Sequence, residues 1–453
     1  MLGSDWESFE AAAMRVRILA HSDFDKWHHG DVTYVLDSSI FPSLASTAQG
    51  RLALLPRLQQ LTWKISNDDI FPYLSLFLSP TIADLTVYIT AGSITSSRAR
   101  VSLFASLASQ CPNIRSLKLR ALTSVTHSWR DLFSGCSLTA YELFSLWAGL
   151  GSLTLYGMDL STLTDDLARL PALTTLALNY CRAIDSASPS TLKGFPMLRY
   201  LDVYSSNIDC CLHVLKQMSC TPLVRLHLHI AGTSCESQWV ELFSILPNGI
   251  SRDSLATVWF STPINVPLRF QTISPLLQFR GMSHLTCAQA SVGLDAGVDL
   301  DDNDVACIAK AWPCLKFIAI CPPGSVPSRL TLRALIPFAE YCPQLEDLSM
   351  KMNATAVELN EYEEKPGKGL HGGRLWRLHV FDSPIDNPAC VAAFISDIFP
   401  NVTRISGAFR HDERKPRRKW YEVRRNAPLF AAVRRQEANR KISCLTCQPP
   451  EGR

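Results

Sequence analysis

Apolar positions recur along the chain in one frame, Pro-x-Leu-x-x-Leu-x-Leu, written almost in full at Pro171, Leu173, Leu176 and Leu178. Close copies stand at Pro56/Leu58/Leu61/Trp63, Pro80/Ile82/Leu85/Val87, Pro112/Ile114/Leu117/Leu119, Pro196/Leu198/Leu201/Val203, Pro313/Leu315/Ile318/Ile320 and Pro343/Leu345/Leu348/Met350. The apolar frame persists without its proline at Leu150/Leu153/Leu155, Leu223/Leu226/Leu228, Leu255/Val258/Phe260, Met282/Leu285/Cys287 and Leu375/Leu378/Val380. A last copy, Pro400/Val402/Ile405, has Gly407 in its final slot. Leu-x-Leu is a short strand with both leucines on one face, and the leucine three residues earlier packs beneath them as the chain turns in. Between the copies lie segments of helical period, such as Val101–Ala108, Cys211–Leu215 and Leu332–Ala339.

Thirteen such units, each strand then helix, predict an α/β leucine-rich-repeat solenoid, a horseshoe with a parallel concave sheet and convex helices. No single unit buries its own apolar face, so the roughly three domains that 453 residues would suggest give way to one continuous architecture. The expected organisation is a capping helix and first turn over 1–50, repeats over 51–410, and a basic C-terminal cap or tail over 411–453. At the N-terminus, Ser4 with Glu7 forms a capping box, and Trp6, Phe9, Ala13 and Arg17 share a stripe suited to closing the first repeat. Three stretches interrupt the period. They are Thr123–Cys136 followed by a helical pattern at Ala140–Ala148, the proline-marked Ser261–Arg280, and the acidic then glycine-rich Asn353–Gly373.

Residues alternating with the strand leucines face the other side of the sheet. In the central units these are Tyr156; Thr175, Ala177 and Asn179; Tyr200, Asp202 and Tyr204; Arg225, His227 and His229; and Thr257, Trp259 and Ser261. With parallel strands about 4.8 Å apart, they predict one aromatic and cationic patch on the concave face. Tyr156, Tyr200, Asp202, Tyr204, Arg225, His227, His229 and Trp259 are the candidate partner-binding residues, since tyrosine, tryptophan and arginine anchor protein interfaces. Asp202 and His227 occupy equivalent slots, an arrangement that would hold an imidazolium. With His229 they form a His-x-His plus Asp set, the basis of a remote alternative, a metal-dependent enzyme on the concave face; the competing reading is an ordinary polar sheet surface.

Composition narrows the function. The chain is 47% apolar and 19% charged, which rules out disorder over most of it. No stretch reaches the ~20 uninterrupted apolar residues of a membrane helix. Asp5, Glu7 and Glu10 stand where a signal peptide would be basic and then apolar, so a cytoplasmic or nuclear location is expected. The fifteen cysteines are scattered through apolar segments, as at Cys111, Cys220, Cys314 and Cys342, and read as reduced core thiols. A net charge of +3, from 44 basic and 41 acidic residues, makes nucleic acid an unpromising partner for the whole chain. The tail from His411 has twelve Lys or Arg against five Asp or Glu, with a basic cluster at Arg414, Lys415, Arg417, Arg418 and Lys419. It reads as a solvated cap before it reads as a nucleic-acid or localisation patch. Cys444 and Cys447 have the spacing of half a zinc site, with no second pair following. Asp299, Asp301 and Asn303 imitate the start of a calcium loop, but Asp304 stands where glycine is needed and Lys310 where the bidentate glutamate belongs. Asp302 or Asn303 is expected instead to cap the following helix. No phosphate loop, nucleophile elbow or His-Glu-x-x-His occurs, so the expectation is a binding protein without enzymatic activity, cofactor or metal.

The runs Gln110-Cys111-Pro112-Asn113-Ile114-Arg115-Ser116-Leu117-Lys118-Leu119 and Tyr341-Cys342-Pro343-Gln344-Leu345-Glu346-Asp347-Leu348 resemble the Cys-Pro-x-Leu-x-x-Leu repeats of fungal F-box and leucine-rich-repeat proteins. The stretch Trp6 to Arg17 is similar to the helix that follows the F-box in the basidiomycete branch of that family. The likeness covers nearly the whole chain. It implies a substrate receptor of a Skp–cullin ubiquitin ligase, the repeats gripping a protein substrate while the F-box holds the adaptor. An F-box would precede Trp6, where only five residues stand. A Skp-type adaptor is therefore expected as a partner only if an upstream F-box exists, and a leucine-rich-repeat scaffold with no ligase link is the alternative.

Overall fold

The computed structural model describes residues 3–21, 40–47, 53–65, 71–89, 106–121, 127–128, 139–160, 163–181, 194–232, 234–262, 267–289, 297–320, 327–356, 372–407 and 414–446. They form two compact units, Met1–Leu223 and Val224–Arg453. In the first, strands Ile18–His21, Gln60–Ile65, Asp84–Ile89, Ser116–Ala121, Ser152–Tyr156, Thr175–Asn179 and Tyr200–Ser205 pair in parallel in chain order. In the second, Arg225–Ile230, Thr257–Thr262, His284–Gln289, Phe317–Ile320, Asp347–Met350, Arg377–His379 and Arg404–Ser406 do the same.

The leucine frame sets the register. Leu117, Leu153, Leu176 and Leu201 stand side by side in the first unit, and Val258, Leu285, Ile318, Leu348, Leu378 and Ile405 in the second. All are buried, whereas the residues that alternate with them are mostly half-buried or exposed, with Tyr88, Ser261 and Asp347 as buried exceptions, so each strand turns its leucine face inward. The turn into each strand repeats as well. One carbonyl, such as that of Arg115, Gly151 or Thr174, accepts from two successive N–H groups of the next unit. Val224, Ala256, Ser283, Lys316, Glu346 and Trp376 do likewise in the second unit. Every unit thus satisfies the backbone of its neighbour while it covers that neighbour's leucines.

Helices cover the buried face. In the helix Glu236–Gly249, Trp239 and Phe243 lie 5.8 and 5.2 Å from the ring of Phe260. In the first unit Phe41 and Phe77 pack on Trp63 at 5.4 and 5.3 Å. Each unit is an α/β leucine-rich-repeat solenoid, as the frame predicts. Among the described residues no helix is long and apolar enough to cross a membrane.

Several expectations need correction. Ile18–His21 is a strand where only a capping helix and first turn were expected, with Leu19 beside Leu61 and His21 beside Trp63. The preceding helix, Gly3–Ala13, stacks Trp6 on Phe9 at 5.1 Å and buries Ala13; the side chain of Ser4 lies outside the described residues. Asp301, not Asp302 or Asn303, caps the helix Asp302–Ala311. Its carboxylate accepts from the N–H groups of Asn303 and Asp304, and Asp304 accepts from the N–H of Asp301 in return. Asp302 is taken by Thr331, whose N–H and hydroxyl donate to it at 2.8 and 2.6 Å.

Cys111 and Cys342 are buried thiols, but Cys220 and Cys314 are exposed. The first two end a helix immediately before a frame proline, with N–H groups bonded to Leu107 and Phe338, which turns their side chains inward. Cys314 lies within the turn after Pro313, and Cys220 has a left-handed φ of 51°. Ser261–Arg280 resolves into the short strand Pro267–Arg269 and the helical turns Phe270–Ile273 and Ser274–Gln278, while the helical pattern at Ala140 appears as Ala140–Ser145. Most of Thr123–Cys136 and Asn353–Gly373 lies outside the described residues.

Candidate functional site

The residues expected as one patch divide between the two units. In the first, one slot of five adjacent strands holds Tyr88, Arg120, Tyr156, Asn179 and Tyr204 in register. The guanidinium of Arg120 sits 4.6 Å from the centre of the Tyr156 ring and 5.6 Å from that of Tyr88, bridging them by cation–π contact. Asn179 is too short to continue the row, and the next residue does so. Tyr180 adopts a left-handed φ of 54° and donates its N–H to the carbonyl of Tyr204 at 2.6 Å. That turn sets its ring 6.1 Å from Tyr156 and 4.5 Å from Tyr204. A left-handed tyrosine is costly by about 1–3 kcal/mol, and here it places a ring 55% exposed on the open face. The side-chain hydrogen bond with Tyr180 pushes the Tyr204 phenol above its ordinary range. Tyr200, 41% exposed, and Asp202 lie in the other two open slots of the same strand.

In the second unit Trp259 is the centre. His229 stacks on it at 5.8 Å with ring planes 11° apart, and His227 lies 6.0 Å away at a tilt. The hydroxyl of Ser261 meets Nδ1 of His229 at 2.8 Å, which orients that imidazole and occupies one of its ring nitrogens. A second row runs through Arg225, Thr257, His284, Phe317, Asp347, Arg377 and Arg404. His284 stacks on Phe317 at 6.3 Å; burial, then Lys316 and Arg225, hold its pKa below the usual histidine range. His379, T-shaped against Phe381 at 4.6 Å, is lowered by burial and by Arg377. Asp347 pairs with Arg377 at 3.2 Å, yet burial raises its pKa.

Asp202 belongs to the first unit, and His227 and His229 to the second. Among the described residues no group of three or more His, Cys, Asp or Glu is placed to hold a metal ion. The side chain of Cys444 and all of Cys447 lie outside the described residues. Tyr88, Arg120, Tyr180, His284 and Phe317 were not anticipated. Arg120 and Tyr88 sit in the slot of Tyr156 on the preceding strands and follow from the same alternation; Tyr180 depends on a backbone turn that alternation does not reveal.

No protein-family description matches the chain, and no curated protein does. Similar solved structures include an internalin of Listeria monocytogenes, with 15% identity over 90% of this chain and 95% of that one and a TM-score of 0.41. Another is the yeast Rad7 and Elc1 complex, with 15% identity, 89% of each chain and a TM-score of 0.36. A third is a leucine-rich-repeat protein of Leptospira interrogans, with 11% identity, 83% of this chain, 96% of that one and a TM-score of 0.35. At TM-scores below 0.5, none of these likenesses bears on what this chain binds. By its own register and burial the chain is a leucine-rich-repeat scaffold.

Proposed function

We propose that this chain is a non-enzymatic protein-binding module that holds a protein partner on the open faces of its sheets. The row from Tyr88 through Arg120, Tyr156 and Tyr180 to Tyr204 carries the reading. Its first ring, Tyr88, is buried, and it spends one strained tyrosine, Tyr180, to continue the line of rings out to an exposed position on the open face. Tyrosine, tryptophan and arginine bury large areas at low entropic cost, and their polar ends stay bonded when water is excluded. Tyr156, Tyr200, Asp202 and Tyr204 in the first unit, with Arg225, His227, His229 and Trp259 in the second, are the proposed contacts.

The more specific form is a substrate receptor of the F-box type, supported by the Cys-Pro-x-Leu repeats at Cys111 and Cys342. The alternative is a scaffold with no ligase link. A cytoplasmic or nuclear location goes with either, supported by free cysteines spread through the core. Proximity labelling in cells, comparing the wild type with Tyr156→Ala/Tyr204→Ala and with Trp259→Ala, tests the reading. A protein labelled by the wild type and lost from the face variants is expected, and labelling of a Skp-type adaptor and cullin by the product of the full gene distinguishes receptor from scaffold. Identical labelling by all three proteins would remove the open faces from consideration.

A further inference from the structure

The helix Arg414–Thr446 carries eleven Lys and Arg against only Glu422 and Glu437. One side of it is committed to the second unit. Trp420, Val423, Ala427 and Ala431 are buried, and the indole N–H of Trp420 donates to the carbonyl of Ser383 at 2.8 Å. Lys419 donates to the carbonyl of Ile385, and Arg434 engages Asp397, Ser396 and the carbonyl of Ala393. These bonds hold the helix against Pro388–Ile398 and the last strand, so the neighbouring side is presented in a fixed orientation.

That neighbouring side is basic and open. Arg417 and Arg424 are seven residues apart, two turns along one flank, and form no ion pair among the described residues. Arg418, itself well exposed, pairs with Glu422 at 3.7 Å, its one ion pair among the described residues. Tyr421, between the arginines, is 65% exposed. Together with Ser406 and Gly407 at the end of the strand Arg404–Ser406 they line a cavity of about 610 Å³. Among the described residues that strand is the last of its sheet and has a strand neighbour on one side.

Guanidinium groups pair two-point with carboxylates, and three of them around an aromatic ring give a pocket for a negatively charged chain segment that also carries a ring or an aliphatic group. The cavity has the size that receives a few side chains, within the ~300–1,000 Å³ usual for ligand sites, rather than the extended basic track along which a polynucleotide lies. The near balance of 44 basic and 41 acidic residues also leaves no general field to hold a nucleic acid.

We propose that the cleft between the terminal helix and the last strand is an acidic-peptide site, in which Arg417, Arg418 and Arg424 pair with carboxylates of a partner protein and Tyr421 packs against its apolar side chain. It meets the open face of the last strand at Ser406, but its arginines and Tyr421 stand on the terminal helix, outside the strand rows proposed above as contacts. Fluorescence anisotropy with the full chain and a fluorescein-labelled peptide of alternating Glu and Tyr tests it, with the corresponding Gln/Tyr peptide and a labelled oligothymidylate as the other probes. The Glu/Tyr peptide should bind, weaken with rising salt, and lose at least about tenfold in affinity with Arg417→Glu/Arg424→Glu, since charge-assisted pairs are replaced by repulsion. Tyr421→Ala should weaken it without changing the salt dependence, and thermal melts should be unaltered because all three residues point to solvent. If the charge reversal shifts the melt, Arg417→Gln/Arg424→Gln should still show the loss and a shallower salt dependence. Undiminished peptide binding by both arginine variants, no peptide binding at all, or preferential arginine-dependent binding of oligothymidylate would overturn the proposal.

Discussion

Replacing Leu176 probes the repeat at its centre. The side chain is fully buried in the strand Thr175–Asn179, with Leu153 and Leu201 in register on either side. Both neighbouring strands are tied by ladder hydrogen bonds and by the shared-carbonyl turns at Gly151 and Thr174. The walls therefore cannot collapse far into the space that Leu176→Ala leaves, and the cost belongs in the upper part of the usual range for such changes, about 3–5 kcal/mol. Leu176→Asp is worse. Its carboxylate would stand among buried Leu153, Leu178 and Leu201, and against a total of about 5–15 kcal/mol for a domain it should leave the first unit unfolded. Lys118→Glu, exposed on the open face of the strand Ser116–Ala121, should stay within about 0.5 kcal/mol of the wild type. Urea denaturation followed by circular dichroism reads all three, the relevant transition being the one that Leu176→Ala moves. Equal midpoints for Leu176→Ala and Lys118→Glu would show that the leucine frame is not the core.

Three further outcomes follow from the same packing. His284 and His379 have folded-state pKa values below the unfolded one, so the unfolded chain takes up protons first; the stability they contribute is full above about pH 6.5 and is lost as the pH falls. The urea midpoint of the second unit should therefore drop between pH 7.5 and 5 less steeply in His284→Gln/His379→Gln; Asp347, whose pKa is raised by burial, works with the opposite sign and is present in both proteins. Trp420→Ala, which removes a buried ring and the bond to Ser383, should cost the docking of the terminal helix about 3–5 kcal/mol, seen as hydrogen exchange across Trp420–Ala431 that rises while the strands stay protected. In alkylation followed by peptide mass spectrometry, exposed Cys235, whose thiol is lowered by hydrogen bonds from Ser237 and the Gln238 backbone, should react before Cys111, Cys181 and Cys342, which burial pushes up to about 11, 12 and 12.

Most of the core was legible because a leucine in a parallel strand is buried by its own neighbours and carries no other duty. All thirteen units of the frame coincide with strands or their immediate ends. The fourteenth strand escaped because His21 fills the slot that holds Trp63 in the next unit, so the pattern Val16, Leu19, His21 loses its last apolar position. Cys220 and Cys314 were misplaced because an apolar neighbourhood in sequence does not specify which side of a turn a small side chain takes. On the open face, alternation reached Tyr156, Tyr204 and Trp259 but not Tyr180, whose position rests on one positive φ. The docking stripe of the terminal helix, Trp420, Val423, Ala427 and Ala431, is present at helical spacing but diluted among eleven basic residues.

The central claim, that a protein partner lies on the open sheet faces, is tested most directly by its affinity for single-residue variants once labelling has named it. Tyr180→Ala, Tyr204→Ala, Arg225→Ala and Trp259→Ala should include at least one loss of about 2 kcal/mol or more, because these side chains would be enclosed in the interface and contribute nothing to the core. Lys216→Ala and Arg333→Ala, exposed on the helical side, should bind as the wild type does. Weakened binding by Lys216→Ala or Arg333→Ala, with the four open-face variants unaffected, would contradict the account while leaving the fold intact.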